Sequence, residues 1–331
     1  MREAMLALLA ACTIAATCTC SGAEEIRREF DETFEVSEGV ALHLRHGDGD
    51  AVLVPWEKDE IRVEVIFHAD VRGFGFHDGF DFDVDFRQSG DIVEVVGKEP
   101  GMTMVGFFAT TYHDYHYTVH APPYAVLRLS GDDGDVSVEG WRADIECELD
   151  DGDLELHDVH CPRVRIMIED GTVRAEDLAC DLKLEGDDGD VSLRRGDLAP
   201  CWISVNDGDV FLGGCEGEIG VRVDDGDVSL DDVRSPRIDI RGADGDIDVS
   251  LAGDPGFDLD ISTDDGDVDV KLAAGLSADF RIDVDDGRIH VELSELLDFV
   301  QGEGRASGVI GSGGASIRIR TNDGDVSLRE L

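Results

Sequence analysis

The chain has 331 residues, with 76 Asp and Glu against 28 Lys and Arg, for a formal net charge of −48. A field of that sign repels nucleic acid and anionic lipid, which counts against both as partners and favours cations and basic proteins. The apolar share of 42% is that of an ordinary folded core, which separates this acidity from the acidity of disordered chains.

Residues 1–23 read as an export signal outside the fold. Arg2 is followed by an apolar run from about Ala4 to Cys20, and Ser21, Gly22 and Ala23 precede Glu24 as a small-residue cleavage site. A second reading takes Leu9-Ala-Ala-Cys12 as a lipobox, with Cys12 carrying lipid. No later segment has the length and apolarity of a membrane span.

Residues 24–125 are expected to form an irregular β region. Its most aromatic stretch, Gly73 to Phe86, alternates Phe80, Phe82, Val84 and Phe86, which predicts a strand first and a partner-binding edge second. His113, His116 and His120 cluster in Tyr112-His-Asp-Tyr-His-Tyr-Thr-Val-His120. The group is either a metal site or an aromatic, half-exposed strand, and the strand is the reading favoured.

From residue 126 the chain repeats. Eleven Asp-Gly steps, at Gly49, Gly134, Gly152, Gly171, Gly189, Gly208, Gly226, Gly245, Gly266, Gly287 and Gly324, sit between short apolar runs. The intervals from Gly134 to Gly245 are 18 or 19 residues, followed by two of 21 and one of 37. Around Gly226, Ile219, Val221 and Val223 precede the turn and Val228 and Leu230 follow it, the period of two of half-buried strands. A fixed period near twenty predicts an all-β solenoid, β-helix or β-roll-like, with two strands per coil and the Asp-Gly corners stacked. An antiparallel meander of Asp-Gly hairpins is the alternative. Ten coils at about 4.8 Å each would span roughly 50 Å. The open end of such a stack must be covered, and residues 294–312, with Leu296, Leu297 and Phe299, are the expected C-terminal cap.

Five cysteines follow the signal segment. Cys147 and Cys201 fall at inward positions as buried thiols, whereas Cys161 and Cys180 each lie nine residues after a turn glycine. Stacking would place their Cα atoms about 4.8 Å apart, within disulfide range, so a Cys161–Cys180 bond is expected in an oxidising compartment.

Nine of the eleven turn glycines are followed by Asp, the exceptions being Thr172 and Arg288. Stacked coils would turn these into ladders of like charge, opposing folding by about 0.9 kcal/mol per pair in water. Divalent cations, salt, raised carboxyl pKa values or outward-splayed side chains could offset that cost. Calcium is the cofactor such a column would take, with Asp190, Asp209 and Asp227 as candidate ligands. The EF-hand and Gly-Gly-x-Gly-x-Asp patterns are absent, and the competing view is that Asp-Gly simply turns well and the other acids are solvated. The triad, zinc-protease and phosphate-loop motifs are absent too, so no catalytic residue is named.

Phe34-Glu-Val-Ser-Glu-Gly39, Leu42-His-Leu-Arg-His-Gly-Asp-Gly-Asp50 and Trp56 resemble the opening of the bacterial putative-adhesin β-strand-repeat family. Tyr117 to Tyr124 resembles its junction before the regular repeats, and Gly313 to Leu328 its closing repeat. The likeness covers about residues 30–331, departing at residues 68–86 and 294–312 and in the density of Asp. It implies a β-solenoid and exported proteins without established activity. The expectation is therefore a periplasmic, envelope or extracellular adhesin-like binding or scaffold protein, monomeric and non-catalytic, with an envelope protein or glycan as partner. A calcium-dependent structural β-roll and a carbohydrate-active β-helix enzyme are the alternatives.

Overall fold

The computed structural model describes residues 23–78, 82–98, 103–253 and 256–331. The alternation in the sequence becomes strand throughout the repeats. In Leu154–Asp170 the buried residues are Leu154, Leu156, Val159, Cys161, Val164, Ile166 and Ile168, with polar neighbours outside. Burying one edge of each strand obliges the coils to stack, because a single coil has no second layer to cover its apolar side.

The stack has two faces. On the first, Val126–Gly131, Ile145–Asp151, the C-terminal halves of Leu154–Asp170, Val173–Asp188 and Val191–Asp207, then Glu216–Asp225, Arg237–Asp244 and Asp258–Asp265 pair in parallel. On the second, Val136–Glu139 leads through the N-terminal halves of the long strands to Val210–Gly213, Val228–Val233, Ile247–Leu251 and Val268–Leu272, again in parallel. Strands on either side of an Asp-Gly step pair with the next coil: Ile219 with Ile238, and Val228 with Ile247. The Asp-Gly steps are solenoid corners, and the hairpin meander is ruled out.

Each coil turns twice. At the Asp-Gly corner the glycines lie directly over one another, and a Cβ on Gly226 would come within 2.2 Å of the Gly208 carbonyl oxygen. At the opposite corner a residue with positive φ recurs in register: Gly140, Asp158 (φ 51°), Asp177 (57°), Arg195 (54°), Gly214 and Asp232 (53°). Arginine forks tie this second corner together. Arg142 reaches Asp158 at 2.9 Å, and Arg195 holds Asp177 through two bonds of 2.8 and 3.0 Å while also meeting Glu176.

At both ends the order of coils in space departs from their order in the chain. Ala41–Gly47 is wedged between Ile92–Lys98 and Val126–Gly131, and Asp50–Pro55 between Thr103–Ala121 and Val136–Glu139. At the other end Ala315–Asp323 lies between Asp258–Asp265 and Ala278–Asp286, and Val326–Glu330 between Val268–Leu272 and Ile289–Glu292. The glycine column therefore runs 245, 266, 324, 287. The interval of 37 in the sequence is a detour and return rather than a doubled repeat.

Antiparallel strands finish each end. Ala23–Glu35, Glu60–Asp78 and Thr103–Ala121 extend the second face, while Asp83–Ser89 edges the first. Residues 294–312, expected as a capping loop, contain instead a hairpin of Leu296–Gly302 and Arg305–Ile310 laid against Ala278–Asp286. Phe280 and Phe299 meet there at 6.3 Å. No helix among the described residues is long and apolar enough to cross a membrane.

Candidate functional site

The Asp-Gly corner is where the sequence concentrates its chemistry, and its backbone groups account for the arrangement. The Gly208 N–H donates to the Asp225 carbonyl of the next coil (2.9 Å), and the Val210 N–H to the Asp227 carbonyl (2.9 Å). The N–H between them, that of Asp209, points to the previous coil and donates to Oδ1 of Asp190 (2.9 Å). The same bond recurs from Asp135 to Asp50, Asp153 to Asp135, Thr172 to Asp153, Asp227 to Asp209, Asp246 to Asp227, Asp267 to Asp246, Asp325 to Asp267 and Arg288 to Asp325, at 2.7–3.0 Å. The column is thus a ladder of carboxylates, each accepting an N–H from its neighbour, and not a simple file of repelling charges. A hydrogen bond to an ionised acceptor is among the stronger ones available.

This geometry explains both exceptions in the column. Arg288 belongs to the coil that ends the column, so it needs to donate but not to accept; its guanidinium also closes on Asp325 at 2.7 Å. Thr172 donates its backbone N–H to Asp153 and offers no carboxylate onward, and Arg174 takes the second oxygen of Asp153 at 2.7 Å. These arginines hold the carboxyls of Asp153 and Asp325 below the usual carboxylate range, mainly through their side-chain hydrogen bonds. One residue before the glycine the opposite holds. Desolvation, followed by the neighbouring Asp188 and Asp225, raises Asp207, and desolvation with Asp225 and Asp265 nearby raises Asp244. In the position before that, asparagine interrupts the charge: Asn206 donates to Asp187 and Asn322 to Asp264.

Asp190, Asp209 and Asp227 follow one another along this ladder, one coil apart, with one oxygen of each already bonded in the ladder. Among the described residues no three His, Cys, Asp or Glu side chains converge as a metal site. Asp209 and Asp227, but not Asp190, line a shallow cleft with Phe211, Ser229, Asp246 and Asp248.

Stacking brings Cys161 and Cys180 together as buried thiols in hydrogen-bonding contact. The contact lowers the pKa of Cys161 and raises that of Cys180. Cys147 and Cys201 are buried inward, as read from the sequence, and burial pushes the Cys147 thiol up to about 12. Cys12 and the signal segment up to residue 22 lie outside the described residues, as does Phe80 of the aromatic stretch.

The three histidines do not gather. His116 approaches Asp50 at 3.8 Å, His120 stacks on Trp56 and His113 on Tyr115. The histidine that the sequence reading missed is His46, fully buried beside the first corner, with Nδ1 2.5 Å from the Gly49 carbonyl oxygen. Burial drives its pKa down. Its signal is Gly131, which pairs with Leu149 on an inward row; a Cβ there would meet the imidazole at 2.1 Å.

No curated protein matches the chain. Among solved structures, a putative lipid binding protein from Parabacteroides distasonis is 13% identical with a TM-score of 0.40, covering 91% of this chain and 96% of its own. A putative cell adhesion protein from Clostridium sporogenes is 10% identical with a TM-score of 0.26, covering 92% of this chain and 100% of its own. A putative adhesin from Parabacteroides merdae is also 10% identical, with a TM-score of 0.25 and coverage of 92% and 96%. Likeness at this level leaves the assignment to the repeats themselves. The family model for Toastrack DUF4097 matches twice, over residues 77–217 and 179–329, which together span most of the chain; the protein belongs to the Toastrack DUF4097 family.

Proposed function

We propose that this protein is an exported, non-catalytic binding or scaffold element of the cell envelope. The observation that carries the reading is the ladder: its carboxylates are spent on backbone N–H groups that hold the coils in register, which makes the acidic edge part of the frame. What the frame offers outward is two long parallel faces, a form suited to display and contact. The apolar run before Glu24 supports export. Cell fractionation with mass spectrometry of the mature N-terminus tests this. Envelope or extracellular material beginning at Glu24, or lipidated at Cys12, is the expected result, and unprocessed cytosolic protein would refute it. Cross-linked capture from envelope extract would then identify the partner.

A calcium-stabilised version of the same frame is the second reading. The reading is supported by Asp153 and Asp325, where a guanidinium occupies the second carboxylate oxygen. Along Asp190, Asp209 and Asp227 a hard divalent ion is the counterpart. Melting in calcium and in sodium chloride at matched ionic strength separates a specific ion from general screening.

A further inference from the structure

Large exposed apolar side chains among the described residues sit at the two ends of the stack, with two exceptions: Met167 and Trp202, 51% and 52% exposed on the outer side of the first face. Trp202 occupies a row in which successive coils present Arg128, Glu146, Arg165, Lys183, Trp202, Gly220 and Asp239. Gly220 does not have positive φ, so its backbone does not require glycine. What requires it is the indole: a Cβ on Gly220 would lie 2.3–2.9 Å from Cζ3, Cε3 and Cη2 of Trp202. The six-membered ring therefore occupies the space over Gly220, while about half of the Trp202 surface stays open to solvent. Glycine within a strand commonly marks a place where another group approaches closely.

We propose that Trp202 is the platform of a glycan-binding site on the first face, taking one pyranose ring of a saccharide chain; this rests on the binding-protein reading above. The indole face is electronegative and attracts the polarised C–H face of a sugar ring. Hydroxyl-bonding groups surround it in register: Lys183 beside it, Ser204 further along its own strand, and Glu185 and Arg222 on the diagonals. Lys183 and Glu185 pair at 2.7 Å and separate Trp202 from Met167. The apolar surface is therefore interrupted, unlike the continuous core of a protein interface, which buries about 800 Å² per partner. A single flat aromatic surface ringed by polar groups fits one sugar ring better than a folded partner.

Titration calorimetry with two soluble probes, chitohexaose (neutral) and oligogalacturonate (acidic), tests the site on the full protein. Saturable binding of either probe is expected, weakened about tenfold by Trp202→Ala, an amount set by one aromatic contact. Trp202→Phe should retain part of the affinity. In the wild type, bound saccharide should shield Trp202 from N-bromosuccinimide oxidation, a readout that needs no variant. Absence of saturable binding of both probes at millimolar concentration would overturn the proposal. So would a Trp202→Ala protein that melts earlier but binds as before, since the indole would then serve only to cover Gly220. Envelope capture that survives Trp202→Ala, with neither probe bound, would leave the binding-protein reading standing and remove this site.

Discussion

Single residues settle the corner. Gly226, at φ 144° with the Gly208 carbonyl below it, has neither the backbone freedom nor the space for a side chain. Gly226→Val should cost well over the roughly 1 kcal/mol of a typical substitution, whereas Gly39→Ala, where nothing lies within 4 Å, should carry only the backbone term. Denaturant midpoints would show the contrast. Asp207 and Asp244 give a pH signature. Their folded pKa values are raised, so their contribution favours the native state when protonated and is lost as pH rises through the folded pKa. Asp207→Asn and Asp244→Asn should each raise the melting temperature at pH 7 and lose that advantage at a pH below the ordinary carboxylate value. Asp153 and Asp325, with lowered values, work in the other direction, stabilising above the ordinary carboxylate pKa and losing that contribution as pH falls through the folded one. We further expect peptide mapping of protein from an oxidising compartment to find Cys161 joined to Cys180, since the two thiols already touch; both recovered as alkylated thiols would refute this.

At the scale of the ladder, charge and hydrogen bonding can be separated by the choice of substitution. Asparagine keeps an oxygen that accepts the neighbour's N–H and removes the negative charge; alanine removes both. Replacing Asp190, Asp209 and Asp227 together by Asn should raise stability in low salt and flatten its salt dependence, while the triple Ala variant should melt below wild type at every salt concentration. If both variants behaved alike, the ladder bonds would contribute nothing. The sequence made the column legible but not its polarity, because it shows which residues are charged and not which N–H groups lack a backbone partner. A second corner was expected near Cys161 and Cys180, but the residues that make it were hidden for a related reason. Asp158, Asp177 and Arg195 look like ordinary polar positions, and only their shared positive φ reveals a column.

For the molecule as a whole, alternation and the Asp-Gly period were enough to give a solenoid, since one apolar face per strand leaves stacking as the way to bury it. The interleaved ends were not readable. Gly266, Gly324 and Gly287 each follow Asp, so the Asp-Gly step itself does not order them, and Arg288 alone sets its corner apart. Order among identical coils is set by connection length and by the hairpin of Leu296–Gly302 and Arg305–Ile310. Deleting residues 313–331 should therefore do more than shorten the stack by one coil. Residues 278–310 would lose their parallel neighbour and become protease-sensitive, while coils before Asp258 stay protected, as nearest-neighbour stability requires. Uniform protection up to residue 310 would argue against it.

The wedged C-terminal coil also gives the protein a sense of completion. A stack that grew strictly in chain order would gain a finished layer with every twenty residues synthesised. Here the coil at 278–292 cannot take its final place until residues 315–330 arrive to sit beneath it. A chain released early presents an unfilled slot bounded by two acidic strand edges, visible to proteases and unable to close. The strands Ala315–Asp323 and Val326–Glu330 thus act as a keystone, locking the coil that precedes them in sequence to the body of the stack.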